Sequence, residues 1–208
     1  MKNIQTAIFL CLFPLLWGAC CTKPVSTETE SGEWAKVPAI LQNIVPPVFP
    51  DTVYNVMNYG AKNDTTFDSR PAILEAINLC NANGGGTVLV PAGNYFIKGS
   101  IHLKSNVNLC IDEGARLEFS TEPSDYLPMV LTKWEGTECF NYSPFIYAYQ
   151  CNNVALTGKG TLDGNGAATF NGWHAKQGPA MNTLRQMGID SIPVYKRVFG
   201  EGHYLRPC

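Results

Sequence analysis

The sequence predicts an all-β solenoid, a parallel β-helix, preceded by one amphipathic helix. Three observations point there. Residues 87–163 read as very short strands separated by turns, with no helical pattern between them. The apolar residues in those runs recur with a period of two, so one face of each strand is buried. The segment Asn106–Leu109 (NVNL) echoes as Asn153–Leu156 (NVAL), each copy followed by a glycine turn and a further apolar residue, Gly114 with Leu117 and Gly160 with Leu162. The offset of 47 residues suits two stacked coils of about half that length, with a long insertion bulging from one of them.

The helix is signalled by Ile73, Ala76, Ile77 and Cys80 at the i, i+3, i+4, i+7 positions. Asp68 or Ser69 caps it, Pro71 suits its first turn, and the NANGGG run from Asn81 to Gly86 ends it. The strands follow: TVLV stops at Pro91-Ala92-Gly93, then come NYFIKG and IHLKS. Val107, Leu109 and Ile111 alternate next, and Leu117 and Phe119 resume the pattern after the turn at Gly114. The glycine-rich stretch TGKGTLDGNG, Thr157–Gly166, reads as a corner rather than a phosphate cradle. It lacks the third glycine of a dinucleotide fingerprint, no helix pattern opens after it, and Lys159 is followed by glycine instead of Ser or Thr. Asp163 is expected to cap the turn with its carboxylate.

The N-terminus has the features of an export signal: Lys2, an apolar run, then Gly18-Ala19-Cys20. This resembles a bacterial lipobox, so residues 1–19 are read as a lipoprotein signal peptide and Cys20 as the lipidation site, with Cys21 a second candidate. Residues 20–50 read as a flexible tether and 51–208 as the folded domain. The expected location is the bacterial cell envelope, lipid-anchored, on a periplasmic or outer-membrane surface.

Removal of the signal moves the net charge from −2 to −3, which gives no basic surface for nucleic acid. Of the eight cysteines, Cys11 is in the signal and Cys20 and Cys21 are at the lipobox. Cys80 and Cys110 fall in apolar patterns and read as buried thiols. Cys139 and Cys151 can pair in an oxidising envelope, and Cys208 is left over. No cysteine or histidine spacing matches a metal site, so neither metal nor cofactor is expected. Asp112 and Glu113 are adjacent on a strand, point to opposite faces and cannot act as a pair.

Residues 54–166 resemble the N-terminal part of the polygalacturonase family, glycoside hydrolase family 28. The resemblance is carried by YNVMNYGAKNDTTFDSRPAILEAINLC, GGGTVLVPAGNYFIKGSIHLKSNVNL, IDEGARLEFS and LTGKGTLDGNG. It implies a right-handed parallel β-helix of the pectin-lyase-like kind, with the helix capping its N-terminal end. It also implies hydrolysis of galacturonan with inversion, which needs one carboxylic acid and one carboxylate on opposite sides of the bond. The family supplies these from an Asn-Thr-Asp motif and an Asp-Asp pair, with Gly-His-Gly and Arg-Ile-Lys beside them. None of the four motifs occurs in the 208 residues, and Gly202-His203-Tyr204 is not the histidine motif. On this resemblance HYLRPC reads as the start of a next coil, the chain reads as C-terminally truncated before its active site, and no catalytic residue is assigned.

Lys133, Trp134 and Tyr142, within the insertion, are the candidate substrate-binding residues. Lysine pairs with a uronate carboxylate, and an aromatic ring stacks on a sugar face. The alternative is a loop packed on the solenoid with Trp134 as its anchor. Trp173, His174 and Lys176 follow the last matched coil and can line the substrate side, His174 reading better as a loop residue. The expected partner is a pectic polysaccharide or oligosaccharide, bound by a monomer. Two other readings stay open: a pectin or pectate lyase acting by elimination with calcium, and a non-catalytic glycan-binding β-helix.

Overall fold

The computed structural model describes residues 32–206, so the signal segment, Cys20, Cys21 and Cys208 lie outside the described residues. The chain divides into two units, one ending at Val45 and the other beginning at Pro46. In the first, a 3-10 turn at Glu33–Lys36 leads into α1, Val37–Gln42. The segment 20–50, expected to be a flexible tether, is therefore helical over 33–42. Pro38 suits a first helical turn, and Ala39, Ile40, Leu41 and Gln42 then continue it.

The second unit holds β1 Val53–Asn55, β2 Asp64–Asp68, α2 Arg70–Ala82, β3 Gly86–Val90, β4 Gly93–Ile97, β5 Ile101–His102, β6 Val107–Ile111 and β7 Ala115–Phe119. These are followed by β8 Val130–Trp134, β9 Thr137–Asn141, β10 Ile146–Tyr147, β11 Ala155–Gly158, β12 Thr161–Asp163, α3 Gly178–Ile189 and β13 Val198–Phe199. Three stacks of parallel strands form the solenoid: β1-β3-β6-β11, β2-β4-β7-β12 and β5-β10. It is the right-handed parallel β-helix that the sequence predicts. Val88, Val90, Ile97, Ile101, Val107, Leu109, Leu117 and Phe119 fill its interior.

The register corrects one expectation. Gly86 lies opposite Val107, so a plain coil takes 21 residues. Asn108 lies opposite Ala155, so the 47-residue offset is one coil swollen by the insertion, not two coils. The echo marks genuine stacking all the same. Asn106 and Asn153 both adopt left-handed backbone conformations, with φ of 64° and 55°. The Asn153 Nδ2 donates to Asn106 Oδ1 at 3.2 Å.

Helix α2 covers the β1 and β3 end of the solenoid, burying Ile73, Ala76, Ile77 and Cys80 completely. Unpaired interior surface would otherwise face water there. Asp68 is the cap: its Oδ1 accepts from the backbone N–H of Arg70 and of Lys98, both at 3.0 Å. Ser69 instead exchanges two hydrogen bonds with the Lys62 backbone. Arg70 also ties the helix to the coils, its Nε donating to Ser100 O at 2.6 Å.

The glycine-rich stretch is the corner between β11 and β12. Gly158 has φ of 96°, and a Cβ there would collide with the Ile111 carbonyl of the coil below. Gly160 N–H donates to that same carbonyl at 2.9 Å. Asp163 accepts from Asn165 N at 2.9 Å, the expected turn cap, and pairs with Arg116 on the neighbouring coil.

Candidate functional site

The insertion leaves the solenoid after β7 and returns at β10. Its exit is pinned by Tyr126, whose hydroxyl donates to Ser120 O, and by the Ser120 Oγ bond to Asp125 at 2.6 Å. Burial, with Asp125 beside it, pushes the Tyr126 hydroxyl far above its usual range, so it stays a neutral donor. Strands β8 and β9 then form an antiparallel hairpin. Its two-residue turn, Glu135-Gly136, has φ of 45° and 87°, the left-handed pair that matches the twist of a tight hairpin. β13 adds to β9 in parallel, Val198 opposite Phe140.

Strand alternation separates the two neighbouring candidates on β8. Trp134 points inward and is only 2% exposed, packed with Cys139, Ala180, Leu184, Phe199 and Leu205. Its faces are covered by protein, so it anchors the insertion and cannot stack on a sugar in this conformation. Lys133 points outward into a broad open depression of about 760 Å³, shared with Thr137, Glu138, Arg185 and Arg197. Arg185 pairs there with Glu135 at 2.7 Å, and Arg197 donates to the carbonyls of Ile192 and Glu138. Two acids and the α3 C-terminus thus offset the three cations.

Tyr142 opens on a different hollow. This one measures about 370 Å³ and is walled by Tyr142, Trp173, Tyr204, Leu127 and Pro123, with Ser124 and Glu201 as its polar groups. The ring centroids of Tyr142 and Trp173 are 5.8 Å apart, and those of Trp173 and Tyr204 are 5.7 Å apart and nearly perpendicular. Phe170 and Tyr126 back these rings. Lys176 Nζ sits 5.0 Å over the Tyr204 ring. Burial and the nearby Glu201 both raise the Tyr142 pKa, so its hydroxyl stays protonated. Rigid aromatic walls with a few polar groups at the edge suit a ligand with an apolar face and a hydroxylated rim.

The structure therefore splits the predicted trio: Lys133 lines one depression, Tyr142 lines another, and Trp134 is buried in the insertion core. Trp173 lines the hollow, and His174 beside it is exposed on the 3-10 turn Phe170–Ala175. Glu201 and Tyr204 join the hollow without any sequence signal, since nothing periodic links them to Trp173. The segment from His203 to Arg206, expected to begin a coil, forms no strand; Leu205 instead closes the insertion core, its carbonyl accepting from Asn141 at 3.1 Å.

Cys139 is buried in that core, whereas Cys151 Sγ lies against the Leu103 and Tyr149 carbonyls, so the two are not joined. Cys80 is buried as expected, but Cys110 is only half-buried, on the outer face of β6. His102 is on the outer face of its strand, yet Ser143 Oγ at 3.1 Å and the Tyr147 ring cover it. Among the described residues no three His, Cys, Asp or Glu side chains gather as metal ligands.

Comparison with known proteins follows the coils. The family model described as Rhamnogalacturonase A/epimerase, pectate lyase-like matches residues 53–120. Plasmin and fibronectin-binding protein A of Streptococcus pneumoniae is 31% identical over 168 residues, 78% of this chain and 22% of that one. The exo-poly-alpha-D-galacturonosidase of Dickeya chrysanthemi is 34% identical over 122 residues, 55% of this chain and 20% of that one. The crystal structure of a hyperthermoactive exopolygalacturonase from Thermotoga maritima superposes with a TM-score of 0.78 at 38% identity, covering 82% of this chain and 40% of that one. The chain thus spans about a fifth of these two curated relatives and two fifths of the solved one. In its sequence motifs and in its coils, the chain resembles the N-terminal part of the polygalacturonase family, glycoside hydrolase family 28.

Proposed function

We propose that this β-helix is the N-terminal part of a pectin-degrading glycoside hydrolase of the polygalacturonase type. In this reading it is held at the bacterial envelope by a lipid on Cys20, with residues 1–19 as signal peptide. One observation carries the reading: the likeness to the Thermotoga exopolygalacturonase covers 82% of the chain, more than the coil region 53–163 contains. A likeness confined to stacked coils would speak only for the fold.

In the proposed mechanism the aromatic hollow holds one sugar ring of a pectic chain. Its C–H face lies against Trp173 or Tyr204, and its hydroxyls meet Tyr142, Ser124 and Glu201. Lys176 and Lys133 offer charge to uronate carboxylates. The chemical step needs an acid to protonate the leaving oxygen and a base to activate water. Residues 1–208 contain none of the family's acidic motifs, so in this reading they bind and position without cleaving. The chain acts as a monomer.

Titration of the chain with galacturonate oligosaccharides tests this. Binding that is weakened at least tenfold by Trp173→Ala, with no reducing sugar released from polygalacturonate, supports the reading. Release of reducing sugar overturns the assignment of the acids, and absence of binding overturns the hollow. Radioactive fatty acid incorporated into the chain but not into its Cys20→Ala variant tests the anchor.

A second reading is favoured by the likeness to plasmin and fibronectin-binding protein A: a non-catalytic adhesive β-helix. Retention on immobilised fibronectin or plasmin, together with no affinity for oligogalacturonide, would select it.

A further inference from the structure

The first unit carries a feature of its own. None of the residues of α1 is buried. Trp34 is 74% exposed, and Leu41 and Ile44 are about 60% exposed. Trp34, Val37, Leu41 and Ile44 recur at i, i+3, i+7 and i+10, which lays them along one side of the turn and helix. Lys36 and Asn43 fall on the opposite side. From Val37 to Pro50 the sequence carries no charge at all, and Val45 extends the exposed apolar surface.

We infer that Trp34–Val45 is a lipid-facing segment that lies flat in the membrane interface. The stretch is far shorter than the ~20 apolar residues needed to span a bilayer, so it cannot cross one. Its apolar stripe with a tryptophan at one end is the pattern of a helix seated at the headgroup boundary, where the indole is favoured. Position along the chain selects the bilayer over other partners. Cys20 stands 14 residues before Trp34. Fourteen residues span at most about 50 Å even when fully extended, which keeps the stripe near the surface into which a lipid on Cys20 inserts. The inference uses the proposed anchor for proximity alone, and fatty-acid labelling tests that anchor separately.

The tryptophans provide the assay. The full chain carrying Trp17→Phe retains Trp34 and the buried Trp134 and Trp173. It is reconstituted into phosphatidylcholine vesicles with brominated acyl chains, which quench indoles at the bilayer, and into unbrominated vesicles for reference. The expected result is a loss of emission with brominated lipid that disappears when Trp34→Phe is added. Leu41→Glu with Ile44→Glu, which charges the stripe, should abolish the same loss while Trp34 is still present. Equal quenching with and without Trp34 would overturn the inference, as would quenching that persists in the charged variant. Absence of quenching with a blue-shifted Trp34 emission would also overturn it, and would assign the stripe to a protein surface, either a second copy or this chain's own β-helix.

Discussion

Replacing Trp134 with alanine separates the two roles that its sequence position allows. A buried tryptophan side chain removes about 200–250 Å² from water, worth roughly 5–6 kcal/mol at 25 cal/mol per Å². Measured Phe or Trp to Ala changes cost less, about 3–5 kcal/mol, because the site partly collapses. Here the indole N–H is buried with no hydrogen-bond acceptor. Its removal returns about 1 kcal/mol of desolvation cost, leaving about 2–4 kcal/mol. The loss should fall first on the insertion, whose core consists of Trp134, Cys139, Leu184, Phe199 and Leu205. Hydrogen exchange of the β8, β9 and α3 amides should therefore accelerate by about one and a half to three orders of magnitude, while β3 and β6 keep their protection. Urea denaturation followed by circular dichroism should show an earlier or separate transition of the insertion. If exchange and denaturation match the unsubstituted chain and only oligogalacturonide binding is lost, Trp134 faces ligand and the packing argument fails.

Ile77→Asp places a carboxylate inside the solenoid end with nothing to pair it, and should cost at least about 3 kcal/mol; an unchanged melting midpoint would refute the capping role of α2. His102 is held below its ordinary pKa of 6.5 by burial first and by Arg70 second. The unfolded chain therefore binds this proton at a higher pH than the folded one, so the stability present above pH 6.5 is lost as the pH falls through 6.5 and toward the folded-state value. His102→Gln should remove that part of the slope between pH 7 and pH 5, read as urea midpoints; identical slopes would show that the contact with Ser143 and Tyr147 does not favour the neutral ring.

The coils were legible because their determinants are local. Val107, Leu109 and Ile111 alternate within one strand, and Gly158 marks its corner by a backbone conformation that other residues avoid. The coil length was not legible. A plain coil of 21 residues leaves no echo between GTVL and VNLC, whereas the one echo spans a coil enlarged by an insertion, and 47 happens to be close to twice a plausible coil. The sequence left Trp134 either a substrate contact or an anchor packed on the solenoid, and did not show what covers it. The cover is α3, whose Ala180, Met181, Leu184 and Met187 do carry a helical apolar spacing that the sequence reading passed over. β13 had no such signal: two residues pair with a strand 58 positions earlier, and their partner exists only once the hairpin has formed.

The same non-local contacts make affinity and local stability two readings of one equilibrium. Tyr142 follows β9 and Tyr204 adjoins Leu205, so two of the hollow's three rings are tied through the chain to the insertion core, while Tyr126, Phe170 and Phe145 back the rings as a separate cluster. No stacked coil contributes a ring to the hollow's wall. Where the insertion core opens, Tyr142 and Tyr204 lose that tether, and apparent affinity falls to the fraction of molecules that remain closed. Trp134→Ala should then weaken oligosaccharide binding without touching the ligand, and ligand at 100 times its dissociation constant should return about 2.7 kcal/mol of protection to the insertion. The β3 and β6 amides should be indifferent to ligand in both proteins. Ligand protection that appears in the coils and not in β8, β9 and α3 would place the binding surface on the solenoid face, and the aromatic hollow would then be a packing defect rather than a site.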